Sequence, residues 1–210
     1  MADTLAAMDA TKEDLRRPGG LLDGWRIVGL VLAVVALGLA SVATRHGWSD
    51  VGLRGAIRIT ARTSFTLFLA AFAASSLATL IPSRPTRWLL ENRRFLGISF
   101  AISHLIHGAA IVTLAVRTGG GSLTARVIGL GSAGILYAFI VFMLVTSFER
   151  PAAWVGPRVW KRLHTVGSYL VFLTFLATYG RLLADSPAYW LQVGLLLGVF
   201  GLRMARRWRR

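Results

Sequence analysis

Apolar residues occur along the chain in long runs, and short polar segments that carry most of the arginines separate these runs. An α-helix needs about 20 apolar residues to cross the hydrocarbon core of a bilayer. The runs predict six membrane-spanning helices, at residues 25–44, 64–82, 95–116, 127–148, 161–180 and 187–204. The predicted fold class is therefore all-α integral membrane, a bundle of six transmembrane helices.

The polar segments divide the chain into three parts. Residues 1–24 form a polar tail of mixed charge, residues 25–204 form the bundle, and residues 205–210 form a basic tail. The first apolar run is long enough to stay as an anchor, whereas a signal peptide has a shorter apolar segment followed by a cleavage site of small residues. With 55% hydrophobic residues and a mean hydropathy of +0.60, a single membrane domain is expected.

The distribution of Lys and Arg predicts the orientation. With six spans both termini lie on one side, and that side carries seventeen of the 24 Lys and Arg residues, against seven on the other. Because basic residues accumulate in cytoplasmic loops, we expect both termini in the cytoplasm. A net charge of +15 can also indicate nucleic-acid binding. Here the arginines flank apolar runs in small groups, so we expect a lipid bilayer and no nucleic acid as the partner.

Two histidines lie in the middle of the third apolar run. On a helix, His104 and His107 are separated by a rise of about 4.5 Å and a rotation of about 300°, so they share one face. Ser99 and Ser103 continue that face from His107 in steps of four. Ionisable side chains within a membrane are costly and usually functional, and they face protein rather than lipid. This face is therefore predicted to point into the bundle and to hold a ligand.

Two further histidines lie nearer the ends of predicted spans. His164 is at the cytoplasmic start of the fifth span, and a face of mostly small or hydroxyl residues follows it at helical spacing: Ser168, Val171, Phe175 and Thr178. Such a face suits the wall of a cofactor site, and it equally suits an ordinary helix contact, so spacing alone leaves both open. His46 follows the first span and is predicted to be a solvated loop histidine.

The side chains available narrow the cofactor class. The chain has no cysteine, which excludes iron–sulfur clusters and thiolate sites. The few carboxylates flank the spans or lie in loops, whereas zinc and di-iron sites need more oxygen or sulfur ligands than the bundle offers. Haem requires only one or two axial side chains and apolar walls, so haem fits these residues best.

Three segments carry a family resemblance. They are Arg62-Thr63-Ser64 with Pro82 after that span, Arg93-Arg94-Phe95-Leu96-Gly97 leading to His107, and Thr146-Ser147 followed by Trp160-Lys161-Arg162-Leu163-His164. In their order and in the six-span length, residues 50–205 resemble the ferric-reductase-like transmembrane domain family. Within that family the likeness is closest to the haem-binding membrane subunit of the bacterial methionine-sulfoxide reductase system.

The resemblance implies haem b between the third and fifth spans of a protein in the bacterial inner membrane. His107 and His164 match the family's axial ligands of the haem iron, and His104 is an additional candidate. Electrons would pass from a cytoplasmic donor, FMN or quinone, to an acceptor protein outside. The 210 residues include no flavin or nicotinamide domain. The expected role is therefore an electron-transfer subunit of an oxidoreductase, without a catalytic domain of its own.

One position departs from the family pattern. The family has a second fifth-span histidine thirteen residues after the first, and Ala177 occupies that position here. Thirteen residues rise about 20 Å, and His107 lies about 19 Å along its own helix, so position 177 rather than His164 is level with His107. Ligation by His107 or His104 alone, ligation with another partner, and a haem-free scaffold all stay open. A small transporter that uses the histidines as a proton site is a weaker reading.

Overall fold

The computed structural model describes residues 22–119 and 132–209, which are almost entirely helical and include no strand. The helices are α1 (Trp25–His46), α2 (Asp50–Leu80), α3 (Arg84–Glu91), α4 (Arg93–Arg117), α5 (Ser132–Val145), α6 (Glu149–Val155), α7 (Pro157–Asp185) and α8 (Trp190–Trp208), and a 3-10 turn at Pro187–Tyr189 precedes α8. Five segments in these ranges, namely α1, α2, α4, α7 and Pro187–Trp208, are long and apolar enough to cross a membrane. The bent pair of α5 and α6 makes a sixth if it is one span.

The long helices alternate in direction between two ends of the bundle. At the Arg93 end, where α4 begins, the Trp25 ring at the start of α1 contacts Phe95 and Phe148. α2 and α8 finish at this end, and α7 begins there. At the Asp50 end, where α2 begins, Arg117 at the end of α4 donates a hydrogen bond to the Trp48 carbonyl. This alternation is the one that a chain of consecutive membrane crossings produces.

α2 begins earlier than the apolar pattern indicates. The second span was expected at 64–82 after a loop, but α2 starts at Asp50. Ser49 caps this start, because its side chain accepts a hydrogen bond from the Gly52 backbone N–H. Gly47, at a φ of 59°, ends α1 and turns the chain. The loop expectation was wrong because hydropathy detects contact with lipid, whereas arginine is a good helix former in water.

The other helices differ less from expectation. α7 exceeds the predicted 161–180 at both ends, so Arg181 and Asp185, expected in the connection, lie within its last turns. The beginning of the predicted fourth span, residues 127–131, lies outside the described residues. α8 continues through residues 205–208 of the predicted basic tail.

The core is aromatic and is centred on α2, α4 and α7. α2 packs most extensively against α4. Buried phenylalanines from these three helices contact one another in one cluster: Phe65, Phe68, Phe72, Phe100, Phe172 and Phe175. Rigid rings fill space at low cost in side-chain entropy, and edge and stacked contacts add about 0.5–1.5 kcal/mol per pair. This cluster fixes the positions of the histidines on α4.

At the Arg93 end, short helices cover the bundle. α6 is bent by 111° from α5 and carries Trp154, which is almost fully exposed. α3 lies before α4, and its Trp88 indole donates hydrogen bonds to the Asp23 carboxylate and the Leu22 carbonyl, each over 2.9 Å. The start of α1 is thereby attached to α3.

Candidate functional site

The histidine-bearing face of α4 points into the protein, as predicted. Ser99 and Ser103 are fully buried, His104 is 7% exposed, and His107 is half-buried. The face is divided between two neighbours. Ser103 and His107 contact α2, whereas the His104 ring contacts Tyr137 of α5 and Phe175 of α7.

Thr60 and Ser64 of α2 form a polar contact with this face. The Ser64 hydroxyl donates to the Ser103 hydroxyl over 3.0 Å, and the Ser103 hydroxyl donates to the Thr60 carbonyl over 3.4 Å. Thr60 and Ser64 are both fully buried. Thr60 was not predicted as a site residue, although its spacing of four from Ser64 on a helix was an available signal.

His107 is held by groups of α2. Its Nδ1 lies 3.1 Å from the Ile57 carbonyl oxygen and 3.2 Å from the Thr60 hydroxyl. A carbonyl can only accept, so Nδ1 carries the hydrogen, and the Thr60 hydroxyl donates its own hydrogen to the Ala56 carbonyl over 2.7 Å. In this tautomer the lone pair is on Nε2, the arrangement that orients many metal-binding histidines.

His104 is enclosed by rings. Its imidazole centroid is 5.3 Å from that of Phe100, 5.4 Å from Tyr137 and 5.2 Å from His107. Its Nδ1 is buried and has no hydrogen-bond partner among the described residues. Nearly all buried polar atoms in proteins are hydrogen-bonded, so an orphan nitrogen beside a second imidazole indicates a function or a missing partner.

His164 belongs to a different cluster, at the Arg93 end. The Thr146 hydroxyl donates to the Phe142 carbonyl over 2.6 Å, so His164 Nε2–H donates to that hydroxyl over 3.0 Å. The Trp160 ring stacks on His164 at 4.3 Å, and its Nε1–H donates to the Thr146 carbonyl over 2.8 Å. The third segment that carries the family resemblance is therefore one hydrogen-bonded unit between α5 and α7.

The structure brings His104 and His107 together and places His164 at another level. The residue of α7 that contacts His104 is Phe175, eleven residues from His164, or about 16 Å along the helix. Ala177, at the position of the family's second histidine, is exposed. Val171 and Phe175 are buried as predicted but Thr178 is exposed, and the buried face of α7 continues from Phe175 to Tyr179 instead.

The remaining histidine and the acidic residues form no site in the described part of the chain. His46 is the exposed last residue of α1 rather than a loop residue. Within 22–119 and 132–209, no group of three or more His, Asp and Glu side chains is arranged to hold a metal ion.

A cavity of about 740 Å³ opens at the Arg93 end. Its size lies within the roughly 300–1,000 Å³ typical of small-molecule and cofactor sites. His164 lies in its wall, and Phe100, whose ring contacts His104, also lines it. The cavity therefore extends from His164 to Phe100, a ring that contacts His104.

Residues 22–119 and 132–209 define a helical protein with five or six potential membrane spans and a pair of neighbouring imidazoles, one buried and one half-buried. Comparison of the chain with models of protein families, with curated proteins and with solved structures gives no match. The assignment of a function therefore rests on the site itself.

Proposed function

We propose that this chain is a membrane electron-transfer protein of the ferric-reductase-like type that carries haem b. The observation that supports this best is the pair of His104, which is buried, and His107, which is half-buried, on the apolar helix α4. One of the rings is already oriented by backbone and hydroxyl groups, and the other has an unpartnered nitrogen. In the proposal the protein spans a bacterial inner membrane with both termini in the cytoplasm.

The residues present fit haem in their donor chemistry. Haem needs one or two axial nitrogens and apolar walls, and the rings of Phe100, Tyr137 and Phe175 provide such walls beside His104. His107 is the first ligand in this proposal, since its Nδ1–H is held and Nε2 has the lone pair. His104 is the second candidate in rank. His164 ranks below both, because its Nε2–H is used by Thr146 and only Nδ1 could ligate.

Haem would supply reversible one-electron transfer at this position. The chain's own residues have positioning roles. Ile57 and Thr60 hold the His107 ring, and the Ser64–Ser103 hydrogen bond fixes the height of α4 against α2. The rings around His104 exclude water from that imidazole, which lowers the local dielectric constant. In the proposal a cytoplasmic donor, FMN or quinone, supplies electrons at the Arg93 end, and an acceptor protein takes them at the Asp50 end.

The test is an absorbance spectrum of protein purified after expression with ample haem precursor, recorded oxidised and reduced. We expect a Soret band and a reduced α-band, both lost in His107→Ala. His46→Ala is the matched control, an exposed histidine whose replacement leaves the bands unchanged. His104→Ala and His164→Ala rank the remaining ligands. A colourless, folded wild-type protein overturns the proposal.

The second function is a haem-free membrane scaffold. The observation in its favour is that Thr146 already satisfies His164 Nε2, while the rings of Phe100 and Tyr137 already pack against His104. It predicts a colourless protein in which His107→Ala and His164→Ala leave partner binding intact. The same spectrum therefore separates the two functions.

A further inference from the structure

Basic side chains outnumber acidic ones in the lining of the cavity at the Arg93 end. The described lining includes five basic side chains, Arg93, Arg94, Lys161, Arg203 and Arg206, and a single carboxylate, that of Glu149. Glu149 lies 3.6 Å from Arg94, and its side chain is 90% exposed, so this pair contributes little. The charges of Arg93, Lys161 and Arg203 have no acidic partner among the described residues.

Two of the arginines are held in place by adjacent carbonyls of α2. Arg93 Nε donates to the Ala71 carbonyl over 3.0 Å, and Arg203 Nη1 donates to the Phe72 carbonyl over 3.0 Å. The Arg203 guanidinium also lies 4.1 Å from the centroid of the Phe72 ring. These contacts hold two like charges, from α4 and α8, against adjacent residues of α2. Each guanidinium retains further N–H donors for a ligand.

The inner part of the cavity is apolar. The rings of Phe68, Phe72 and Phe100 form its back wall. Gly97 leaves space, since a methyl group at that position would meet no atom within 4 Å. The mouth lies beside α6, whose Ala152 lines the cavity. A ligand that fits must therefore combine an anionic head with an apolar body.

We propose that this cavity binds an anionic phospholipid, with its phosphate on Arg93 and Arg203 and its acyl chains against the phenylalanines. Basic pockets between transmembrane helices at the cytoplasmic side are a known class of lipid-headgroup site. A neutral quinone would leave the guanidinium charges unbalanced. The shared chemistry is a phosphate, so a free phosphate ion is the alternative source that the experiment must separate from a lipid.

The experiment uses the full chain in neutral detergent, with native mass spectrometry and thermal unfolding as readouts. The probes are phosphatidylglycerol, phosphatidylcholine and inorganic phosphate. We expect retained phosphatidylglycerol and a rise in melting temperature with this lipid alone. An equal effect of phosphatidylcholine overturns the proposal, because charge then plays no part. A full effect of inorganic phosphate overturns it too, because the acyl chains then contribute nothing.

Two arginine variants, a control variant and a cavity-filling variant locate the site. Arg203→Gln and Arg93→Gln should each weaken phosphatidylglycerol binding about fivefold, the value of about 1 kcal/mol per basic residue. Arg158→Gln, an exposed arginine of α7 outside the lining, is the matched control and should have no effect. If the arginine variants do not fold, Gly97→Leu fills the cavity without removing a charge and should displace the lipid. Wild-type affinity in Gly97→Leu overturns the proposal.

The readouts keep this proposal separate from the haem proposal. Lipid retention by a colourless protein supports the lipid site while the haem function fails. A coloured protein that binds no phosphatidylglycerol, and whose Soret band shifts in Arg203→Gln, overturns the lipid site while the haem function stands.

Discussion

Gly108 allows Tyr137 to stack on His104. A Cβ at position 108 would lie 2.6 Å from three atoms of the Tyr137 side chain, so Gly108→Ala must displace that ring. We expect a loss of about 1–3 kcal/mol in the free energy of unfolding, the usual cost of overpacking. Thermal unfolding in detergent, followed by circular dichroism, measures it.

Gly97→Ala on the same helix is the control for this change. Its added methyl group meets no atom within 4 Å, and alanine favours a helix over glycine by roughly 0.5–1 kcal/mol. It should therefore be neutral or stabilising. Equal melting temperatures for the two variants would show that Tyr137 does not occupy the space above Gly108.

At the level of single residues, the direction of a side chain was predictable from the sequence, but its contact partner was not. The inward direction of Ser99, Ser103 and His104 follows from helical periodicity and was confirmed. The partners of His107 were not predicted, because Ile57 and Thr60 lie about fifty residues earlier in the chain and one of the two groups is a backbone carbonyl. Periodicity gives a direction but does not identify the group that lies there.

The turn between α1 and α2 depends on close backbone contact. A Cβ at Gly52 would lie 2.1 Å from the Gly47 carbonyl oxygen, which cannot rotate away as a side chain can. We expect Gly52→Ala to cost about 3 kcal/mol or more, at the upper end of overpacking. Ser49→Ala removes the N-cap together with the exposed hydrogen bond from the Ser49 hydroxyl to the His46 carbonyl, and should cost about 1 kcal/mol. Gly29→Ala, with open space around it, is the control for both. Melting temperatures in the reverse order would contradict this account of the turn.

The contact between α5 and α7 depends on Thr146. Thr146→Val removes the acceptor for His164 Nε2–H but keeps the carbonyl that accepts from Trp160. An unpaired buried polar group costs roughly 1–3 kcal/mol, so a loss in this range is expected. Thr66→Val is the control, because the exposed Thr66 hydroxyl bonds only to the Arg62 carbonyl of its own helix.

A double-mutant cycle isolates this contact. Thr146→Val and His164→Phe, alone and combined, should show a coupling energy of about 0.5–3 kcal/mol, as residues in one hydrogen bond do. Additive effects would mean that His164 is not held by Thr146. Nε2 of His164 would then be available as a ligand as well as Nδ1.

At the level of helices, the apolar runs predicted which helices exist and their order. The predicted helices were too short at their polar ends. α2 extends fourteen residues before its predicted start because Ser49 and Gly47 form a cap and a turn that hydropathy does not detect. The same reason applies to Arg181 and Asp185 of α7, whose charges indicated a loop although they continue the helix.

For the whole molecule, the absence of cysteine makes the orientation directly testable. Ala153 of α6 and Ala188 after α7 are exposed at opposite ends of the bundle. If the Arg93 end is cytoplasmic, a membrane-impermeant maleimide should label Ala188→Cys in intact cells and Ala153→Cys only after lysis. The cysteine-free parent is the control. Labelling of Ala153→Cys in intact cells would invert the orientation derived from the Lys and Arg count.

The helical class was predictable because a bilayer imposes a length and a composition on each crossing. Of the six predicted spans, the described residues contain five helices that are long and apolar enough, and a sixth if the bent pair of α5 and α6 is one span. The separation of His164 from His104 also follows from counting residues along helices. The cavity at the Arg93 end was not predictable, because it results from the bend between α5 and α6 and from arginines of two helices that meet on α2.

α2 has 31 residues in one unbroken helix, or about 46 Å, whereas the hydrocarbon core of a bilayer is about 30 Å thick. If α2 crosses a bilayer, several of its turns, including those that carry the exposed Arg54 and Arg58, extend beyond the hydrocarbon core. The same unbroken helix contains Thr60, whose hydroxyl lies 3.2 Å from His107 Nδ1. A displacement of the extending turns would therefore be transmitted along one rigid helix to the contact with the His107 imidazole.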